Sequence, residues 1–275
     1  YAILSATSDW ESISTGDTLN ASFQGRTHAF SKNGARIALG YPYNTNNLGE
    51  VRILEYSGSN SVWHSKGTIS GLDNNGYFGF SVSLNKTGDI VAISAVREDE
   101  SAGVVRVYSR NNNNTWTQLG SDIVGPYEKD GQYLTGSLTG WSVSLSANGT
   151  ILAISAPWFD LTPGSGNSPG SNEGNVKVYE YVDNDWDQLG TSLTGSSSGD
   201  HLGKDIQLSD DGRYLAVGSP YTSSNGVNHG TSSVYQWSNG AWLLIPGGQI
   251  IGENGSESGT SIAMNADGNR IIVGS

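Results

Sequence analysis

The amino-acid sequence predicts an all-β protein, a β-propeller built from four-stranded blades. Three observations support this prediction: one segment recurs five times, each copy has the pattern of a β-hairpin, and the composition favours strands and turns. The 275 residues include 38 glycines, 8 tryptophans and 13 tyrosines, and only 15% of the residues are charged. Such a composition suits short strands joined by tight turns and leaves few residues for charged amphipathic helices.

The recurring segment aligns five times without gaps. A glycine occupies the same place in every copy, and successive copies of this glycine are 54, 61, 63 and 56 residues apart. A regular internal period of this size is typical of propellers and other repeat architectures. The five copies are Thr27–Gly40, Ser81–Ser94, Ser142–Ser155, Asp205–Gly218 and Ser261–Gly274.

The first two strands of each blade are predicted within this segment. An alternating strand such as Val143–Leu145 leads into a turn that ends at a glycine, and an apolar strand such as Ile151–Ile154 follows. Glycine suits the turn because it adopts positive φ angles without steric cost. The alternation predicts a half-buried first strand, and the continuous apolar run predicts a second strand buried on both faces.

The third and fourth strands follow a loop of variable length. The third strand is rich in valine and tyrosine and is predicted at Val51–Tyr56, Val105–Tyr108, Val176–Tyr181 and Ser233–Trp237. A short polar turn then leads to a tryptophan that opens the fourth strand. Because this tryptophan recurs once per repeat, we expect it to pack between blades rather than to stack on a ligand. The four tryptophans are Trp63, Trp116, Trp186 and Trp242.

The two ends of the sequence carry complementary halves of one further blade. Tyr1–Leu4 and Trp10–Ile13 match strands three and four, whereas the last repeat stops after strand two. Their union would leave no open sheet edge, which is the main liability of an open array. We therefore expect a single domain over residues 1–275 with five blades; a longer parent chain with six or seven blades is the alternative. The predicted blades are residues 18–70, 71–125, 126–195, 196–250, and 251–275 together with 1–17.

Charge and residue content narrow the classes of function. The net charge of −12 argues against a nucleic-acid partner, because affinity for the phosphate backbone depends on clustered lysine and arginine. No apolar run is long enough for a membrane-spanning helix, so no membrane insertion is expected. The absence of cysteine removes disulfides, thiolate metal sites and cysteine nucleophiles together.

Five Asn-x-Ser/Thr sequons are candidate N-glycosylation sites and agree with an extracellular or cell-surface location. Asparagine, serine and threonine are so frequent in this chain that sequons also arise by chance. The sequons therefore add only a little weight to the extracellular interpretation. They are at Asn20, Asn85, Asn113, Asn148 and Asn254.

The repeats resemble the FG-GAP repeats of integrin α-subunit propellers. The resemblance is carried by Phe78–Leu84, Thr87–Ala95, Gly203, Asp211–Pro220 and the Ala-Pro step at Pro157. It extends over nearly the whole chain and implies an extracellular propeller that serves adhesion or recognition.

The chain departs from that family at the turn between strands one and two. In the family this turn often carries alternating aspartates that ligate Ca²⁺ through oxygen atoms. The turns in this sequence are too short and too poor in carboxylates, and only Asp210 and Asp211 come near the pattern. A solvated pair of turn residues is the simpler interpretation, so neither calcium nor another cofactor is expected.

The candidate ligand-binding surface is formed by the long loops. In a propeller blade, the loops from strand two to three and from strand four to one emerge on one face, which we call the long-loop face. Variable loops on one face of a rigid scaffold are typical of a recognition surface. Aromatic side chains there suit sugar stacking and protein contacts alike. The residues assigned to this face are Tyr41, Tyr43, Asp99, Tyr133, Trp158, Phe159 and Tyr221.

Motifs for catalysis are missing from the sequence. The four histidines lie in different repeats without metal-ligand spacing, and neither a Gly-x-Ser-x-Gly elbow nor a P-loop occurs. We therefore expect a non-catalytic extracellular recognition or structural module, serving adhesion, matrix or filament assembly, or glycan or protein binding. The alternative is a carbohydrate-active hydrolase or lyase that uses carboxylates at the mouth of the channel.

Overall fold

The computed structural model describes residues 3–6, 10–13, 27–58, 62–130, 133–161, 171–224 and 227–275. This part of the chain is almost entirely β-structure, with one helical turn, α1, at Asn44–Asn47. The strands, in chain order, are β1 Ile3–Ala6, β2 Trp10–Ile13, β3 Thr27–Phe30, β4 Arg36–Tyr41, β5 Glu50–Ser57, β6 Val62–Ser70, β7 Phe78–Leu84, β8 Ile90–Ala95, β9 Val104–Arg110, β10 Trp116–Gln118, β11 Ile123–Val124, β12 Tyr127–Asp130, β13 Tyr133–Gly136, β14 Val143–Leu145, β15 Ile151–Ala156, β16 Asn175–Val182, β17 Asp185–Gln188, β18 Leu193–Thr194, β19 Ile206–Leu208, β20 Tyr214–Ser219, β21 Ser223–Ser224, β22 Val227–Asn228, β23 Thr231–Ser238, β24 Ala241–Ile251, β25 Ser261–Met264 and β26 Ile271–Gly274.

Four antiparallel sheets repeat one architecture, and we call them blades 1 to 4. Each contains four strands that pair in chain order, which is the meander of a propeller blade. The all-β prediction is confirmed, and so are the four predicted third strands, each to within two residues at either end. The blades are β3–β4–β5–β6, β7–β8–β9–β10, β14–β15–β16–β17 and β19–β20–β23–β24.

The second strand of each blade is the most deeply buried. Every residue of β15 is buried, and the side chains of Leu152 and Ala153 are 0% exposed. This burial on two faces is what the apolar run in the sequence predicts. The first strands of blades 1, 2 and 4 keep partly exposed positions, such as Ser81 and Ser83 in β7. In β14 all three residues are buried, so the half-buried strand predicted there is wrong.

The turn between strands one and two is closed by a side chain at its first position. This residue is a serine or an asparagine in all five repeats, and its side-chain oxygen accepts the backbone N–H five residues later. In blade 1 the bond from Arg36 N to Ser31 Oγ is 2.9 Å long. The turn glycines have φ angles between 68° and 76°, as expected. The same bond joins Ile90 to Asn85, Ile151 to Ser146, Tyr214 to Ser209 and Arg270 to Asn265.

The recurring tryptophan connects blades 2, 3 and 4 each to the preceding blade. The indole Nε1 of Trp186 in blade 3 donates to the carbonyl oxygen of Leu119, three residues after Trp116 of blade 2. Trp186 is also buried, with 7% of its surface exposed. The expectation that this tryptophan packs between blades is therefore correct. Equivalent bonds run from Trp116 to Lys66 and from Trp242 to Leu189.

Main-chain hydrogen bonds join the repeats on the face of the short turns. They run from Lys32 N to Lys86 O, from Lys86 N to Ala147 O, from Ala147 N to Asp210 O and from Asp210 N to Ala266 O, at 2.8–3.1 Å. Each of these residues is the second of its turn. All five repeats therefore stand in one continuous row.

Among the described residues, strand pairing does not join the two end hairpins into one four-stranded sheet. β25–β26 and β1–β2 are separate two-stranded sheets, and among the described strands β26 pairs with β25 alone. The union predicted from the sequence is thus absent from the strand pairing, and the count of five blades and their boundaries stay predictions. No helix of the described residues is long and apolar enough to cross a membrane.

Candidate ligand-binding site on the long-loop face

Three positions of each repeat bring side chains together on the long-loop face. Each position is defined by its distance along the chain from a recurring glycine or from the end of a strand. The first position follows a glycine at or just before the start of strand one and is occupied by Phe80, Trp141, Lys204 and Thr260. The second position lies two residues before that glycine and is occupied by Tyr77, Leu138, His201 and Glu257. The third position lies two residues after strand two and is occupied by Tyr43, Arg97, Trp158 and Tyr221.

The glycine in this motif is required by close packing. At Gly140 the φ angle is 91°, and a Cβ atom would lie 2.5 Å from Ser94 Cβ and 2.9 Å from Val105 Cγ2 of the preceding blade. No larger residue fits there. Gly203 makes the same approach to Ser155 and Val176.

The second position is left-handed in all four repeats, with φ angles between 50° and 60°. Non-glycine residues rarely adopt this conformation, and bulky residues do so at a cost of about 1–3 kcal/mol. A strained backbone at the same place in successive blades indicates that the surrounding structure imposes it. It therefore fixes the position from which Tyr77, Leu138, His201 and Glu257 project.

The three positions meet between blades 3 and 4 in a group of side chains that we call the Trp–Lys cluster. The rings of Trp141 and Trp158 are 4.1 Å apart at an angle of 61°. The Nζ atom of Lys204 lies 4.5 Å from the centre of the first ring and 4.6 Å from the centre of the second. His201 stands edge-on to Trp158 at 5.6 Å and to Tyr221 at 5.1 Å. All five side chains are partly exposed.

The cluster places a cation in an aromatic corner. Such a cation–π contact contributes about 0.5–2 kcal/mol, and it holds Lys204 against both indole rings. Phe80 extends the aromatic row, with its ring 4.8 Å from that of Trp141. The cluster therefore offers apolar ring surface and hydrogen-bond donors at one accessible place.

The surroundings of His201 favour its neutral form. Burial lowers the pKa of its imidazole, the charge of Lys204 lowers it further, and a hydrogen bond to the Pro157 carbonyl and the charges of Asp200 and Asp160 oppose the change. Its Nδ1 atom is buried without a hydrogen-bond partner among the described residues. A neutral imidazole beside the ammonium group limits the local charge to that of Lys204.

The acidic side chains near this cluster are engaged in holding loops. Asp160 Oδ1 accepts the Asn172 N–H at 2.6 Å. Asp200 Oδ2 accepts from the backbone N–H groups of Ser196 and Ser197 at 3.0 and 2.9 Å. Within the described ranges, no group of three or more histidine, aspartate and glutamate side chains is placed to hold a metal ion.

A buried ion network lies below the loop of blade 2. Arg106 is 4% exposed and donates to Glu98 Oε2 at 2.9 Å and to Asp122 Oδ1 at 2.9 Å. Burial alone would raise the pKa of Asp122, but hydrogen bonds from Arg106 and Gln118 reverse this effect and lower it. Glu98 is therefore tied to a buried guanidinium.

The structure brings some of the predicted site residues together and separates others. Trp158 and Tyr221 both belong to the Trp–Lys cluster. Tyr43 is 58% exposed and contacts Tyr77, with ring centres 5.5 Å apart, between blades 1 and 2. Asp99 is exposed in the loop of blade 2.

Phe159 is partly buried, and its backbone closes the base of a long loop through the bond from Gly174 N to Phe159 O. The backbone of Tyr133 lies in β13, and its side chain falls outside the described residues. Neither residue is brought into the Trp–Lys cluster by the contacts described above.

The assignment of Tyr41 to the long-loop face is wrong. Tyr41 is the last residue of β4 and is only 3% exposed. Strand two of blade 1 continues one residue beyond the recurring segment, so this side chain packs with Leu39 and Trp63 in the core. The Arg52 guanidinium lies over its ring at 5.0 Å.

The sequon at Asn85 is wrong as a glycosylation site. Asn85 is 4% exposed, and its Oδ1 accepts the backbone N–H groups of Gly88, Asp89 and Ile90. This side chain is the turn-closing residue of blade 2, and its Nδ2 donates to Thr87 Oγ1 and Asp89 Oδ1, so the folded turn leaves no exposed amide to carry a glycan. Asn20 lies outside the described residues, whereas Asn113, Asn148 and Asn254 are exposed.

Sequence reasoning missed three members of the cluster: Trp141, His201 and Lys204. The signal that could have found them is a fixed offset from a recurring glycine. Side chains at that offset differ from one repeat to the next, although the glycine does not change. Internal variation at a constant backbone position is what a recognition surface requires.

Comparisons with solved structures show the fold. Hydrazine synthase from Kuenenia stuttgartiensis has a TM-score of 0.53 at 13% identity, over 91% of this chain and 61% of that chain. A protein from Lactobacillus plantarum has a TM-score of 0.57 at 14% identity, over 94% and 66%. Sqt1 from Chaetomium thermophilum has a TM-score of 0.51 at 13% identity, over 90% and 54%. This chain therefore spans 54–66% of the length of each of these proteins.

No family model matches the sequence, and no curated protein matches it. Identity below 15% carries no information about activity or partners. The similar structures are all-β folds of several sheets, and the blades described above have the same architecture. The prediction of a β-propeller fold is thereby confirmed.

Proposed function

We propose that this propeller is a non-catalytic recognition module that binds a carbohydrate through the Trp–Lys cluster on its long-loop face. The observation that carries the proposal is the placement of Lys204 against two partly exposed indole rings that form a corner. A sugar presents a C–H face and a rim of oxygen atoms. The indole surface suits that face, and the ammonium and imidazole groups suit the oxygens.

The size of the cluster favours a small ligand over a protein surface. A stable protein interface buries about 800 Å² and involves about 20–30 residues on each partner. The cluster comprises five side chains at a single blade boundary. Carbohydrate is therefore preferred over protein as the ligand, and protein binding is the alternative within the same class of function.

The engagement of the nearby acids supports a binding role. A glycosidase needs two accessible carboxyl groups about 5–9.5 Å apart, one with a raised pKa. Asp160 and Asp200 accept backbone hydrogen bonds that hold loops, and Glu98 is tied to Arg106. These three groups are committed to structure, which argues against the hydrolase or lyase alternative.

We further propose that the blades are related to the FG-GAP repeats of integrin α-subunit propellers. The glycine of the Phe78-Gly79 step supports this relationship, because it recurs at Gly140, Gly203 and Gly259 with φ angles of 89–98°. An extracellular location and a role in adhesion follow from this relationship. The exposed sequons at Asn113, Asn148 and Asn254 agree with that location.

A glycan array combined with a polysaccharide hydrolysis screen tests the proposed function. We expect binding to a defined set of glycans without turnover, and at least a tenfold loss of affinity in Trp158→Ala. The matched control is Phe30→Ala, which removes an aromatic side chain that is 45% exposed next to the short-turn face. Turnover of any polysaccharide would contradict the non-catalytic assignment, and equal losses in both variants would contradict the site.

A further inference from the structure

Among the described residues, the indole of Trp63 lacks the partner that its equivalents have. Its Nε1 atom is buried and forms no hydrogen bond within this part of the chain. In the three other blades, the same nitrogen donates to the residue three positions after the tryptophan of the preceding blade. Because Trp63 belongs to blade 1, its acceptor must come from a sheet that precedes this blade in the ring.

The strand that precedes blade 1 in the sequence is β2, which begins at Trp10. Trp10 pairs with Ala6 across its hairpin, as Trp63 pairs with Tyr56 across the hairpin of β5 and β6. Trp10 therefore occupies the same backbone position in its hairpin as the recurring tryptophan does in blades 1 to 4. Three residues after Trp10 comes Ile13. By analogy with the other blades, the Ile13 carbonyl oxygen would accept the Trp63 indole N–H.

The same comparison with blades 1 to 4 predicts which residue of β26 would pair with β1. In blades 1 to 4, the recurring tryptophan pairs with a residue of strand three. The residue three positions before that one pairs with the alanine at the centre of strand two. Three positions before Ala6 is Ile3, and the residue of β26 that is equivalent to those alanines is Ile272. The known pairs are Ile53 with Ala38, Val107 with Ala92, Val178 with Ala153 and Val234 with Ala216.

Ile272 differs from its equivalents in exposure. It is 76% exposed, whereas the four central alanines are each 0% exposed. Strand two of blades 1 to 4 has strand three on its outer edge, and no described strand pairs with that edge of β26. An apolar strand with an open edge is a liability that native sheets cover.

The short-turn face also indicates a ring. The row of main-chain bonds from Lys32 to Ala266 would close if the Ala266 N–H reached the Lys32 carbonyl. Lys32 in the first repeat already forms an ion pair with Asp210 in the fourth. Side chains from non-neighbouring repeats therefore meet across the centre, as they would in a ring of few blades.

We propose that β1–β2 is the outer half of the fifth blade and occupies the open edge of β26. Ile3–Ala6 pairs antiparallel with β26, with Ile3 opposite Ile272, and the Ile13 carbonyl accepts the Trp63 indole N–H. The occupant is the N-terminal hairpin of the same molecule. This proposal is independent of the proposed ligand.

An engineered disulfide tests the register in the full chain. The protein contains no cysteine, so any thiol reactivity comes from the introduced pair. We expect Ile3→Cys with Ile272→Cys to oxidise within one molecule, to lose both free thiols and to raise the Tm by about 5 °C or more. The matched control is Leu4→Cys with Ile272→Cys, because a shift of one residue points the two side chains to opposite faces.

Three outcomes would overturn the proposal. The first is a folded Ile3/Ile272 pair that stays reduced, and the second is equal oxidation of the control pair. The third is a covalent dimer at low protein concentration, which would show that the hairpin comes from a second copy.

The Trp63 indole gives a second measurement that needs no disulfide. We expect its N–H signal, assigned by its loss in Trp63→Phe, to exchange with solvent as slowly as that of Trp186. We also expect Trp63→Phe and Trp186→Phe to lower the Tm by similar amounts, because each removes one donor from one carbonyl. A fast-exchanging Trp63 indole with a neutral substitution would contradict the assigned bond.

Discussion

The carboxylate of Asp205 accepts the backbone N–H of Ile262 at 2.8 Å, across the boundary between blade 4 and the C-terminal hairpin. The same group accepts from Ser142 Oγ of blade 3 at 3.0 Å and from its own neighbour Ile206 N at 2.9 Å. One partly buried acid therefore links three successive repeats along their inner strands.

Asp205 is expected to make stability depend on pH in an unusual direction. Burial raises its pKa above the ordinary 3.8 in spite of three donors, so the folded state binds the proton more tightly than the unfolded state. Its contribution is fully present below pH 3.8 and is lost as pH rises through the folded-state pKa. In Asp205→Asn this falling component should disappear. Urea unfolding over a pH series measures it, with the exposed Asp187→Asn as control; parallel curves for wild type and Asp205→Asn would contradict it.

Arg106 is expected to be among the most sensitive positions. Arg106→Ala should lower the free energy of unfolding by about 3–5 kcal/mol, because Glu98 would be left buried without its cation. Arg213→Ala is the control, since its ion pair with Asp211 has side chains 73% and 52% exposed. That change should cost less than about 1 kcal/mol. Similar losses in the two variants, measured by urea unfolding, would show that the buried network contributes nothing special.

A comparison of substitutions at Gly174 and Gly240 distinguishes the cost of steric overlap from the cost of backbone strain. Both have positive φ angles, 83° and 79°, but a Cβ at Gly174 would lie 2.3 Å from Leu202 O and 2.4 Å from Leu202 N. A Cβ at Gly240 would meet nothing within 4 Å. We expect Gly240→Ala to cost about 1–2 kcal/mol and Gly174→Ala to cost several kcal/mol more, or to prevent folding. Thermal unfolding of the pair measures the difference, and equal Tm values would refute the close inter-blade approach.

His201 is expected to destabilise the protein in acid. Burial and then Lys204 lower its pKa below 6.5, so its contribution is present above pH 6.5 and is lost as pH falls through the folded-state pKa. His201→Gln should therefore lose less stability than wild type on acidification. The matched control is His64→Gln, which replaces an exposed histidine. The free energy of unfolding is measured by chemical unfolding from about pH 7.5 to about pH 5, because histidine titrates in this range.

The blades could be predicted because their signals are local. A turn glycine such as Gly149 and an apolar run such as Ile151–Ile154 act within one hairpin, where neighbouring residues decide the structure. Tyr41 was misassigned because the end of a strand depends on pairing with the next strand, in this case with Glu50. Asn85 was misassigned because a sequon does not reveal whether the side chain closes a turn. The serine or asparagine that recurs at this turn position carried that information.

The Trp–Lys cluster could not be predicted in the same way. Trp141 and Trp158 belong to blade 3, whereas His201 and Lys204 belong to the repeat of blade 4. Their contact depends on how one blade packs against the next, and no spacing within one repeat encodes that packing. The sequence showed that the loops carry aromatic residues typical of a binding surface. It did not show which side chains those aromatic residues contact.

The left-handed position before each blade has a wider consequence. One backbone geometry there carries a phenol at Tyr77, an aliphatic chain at Leu138, an imidazole at His201 and a carboxylate at Glu257. The conformation is therefore set by the scaffold and does not depend on the side chain that it displays. A protein of this design can change the chemistry of its binding face one blade at a time, by single substitutions, while the packing between its blades stays as it is.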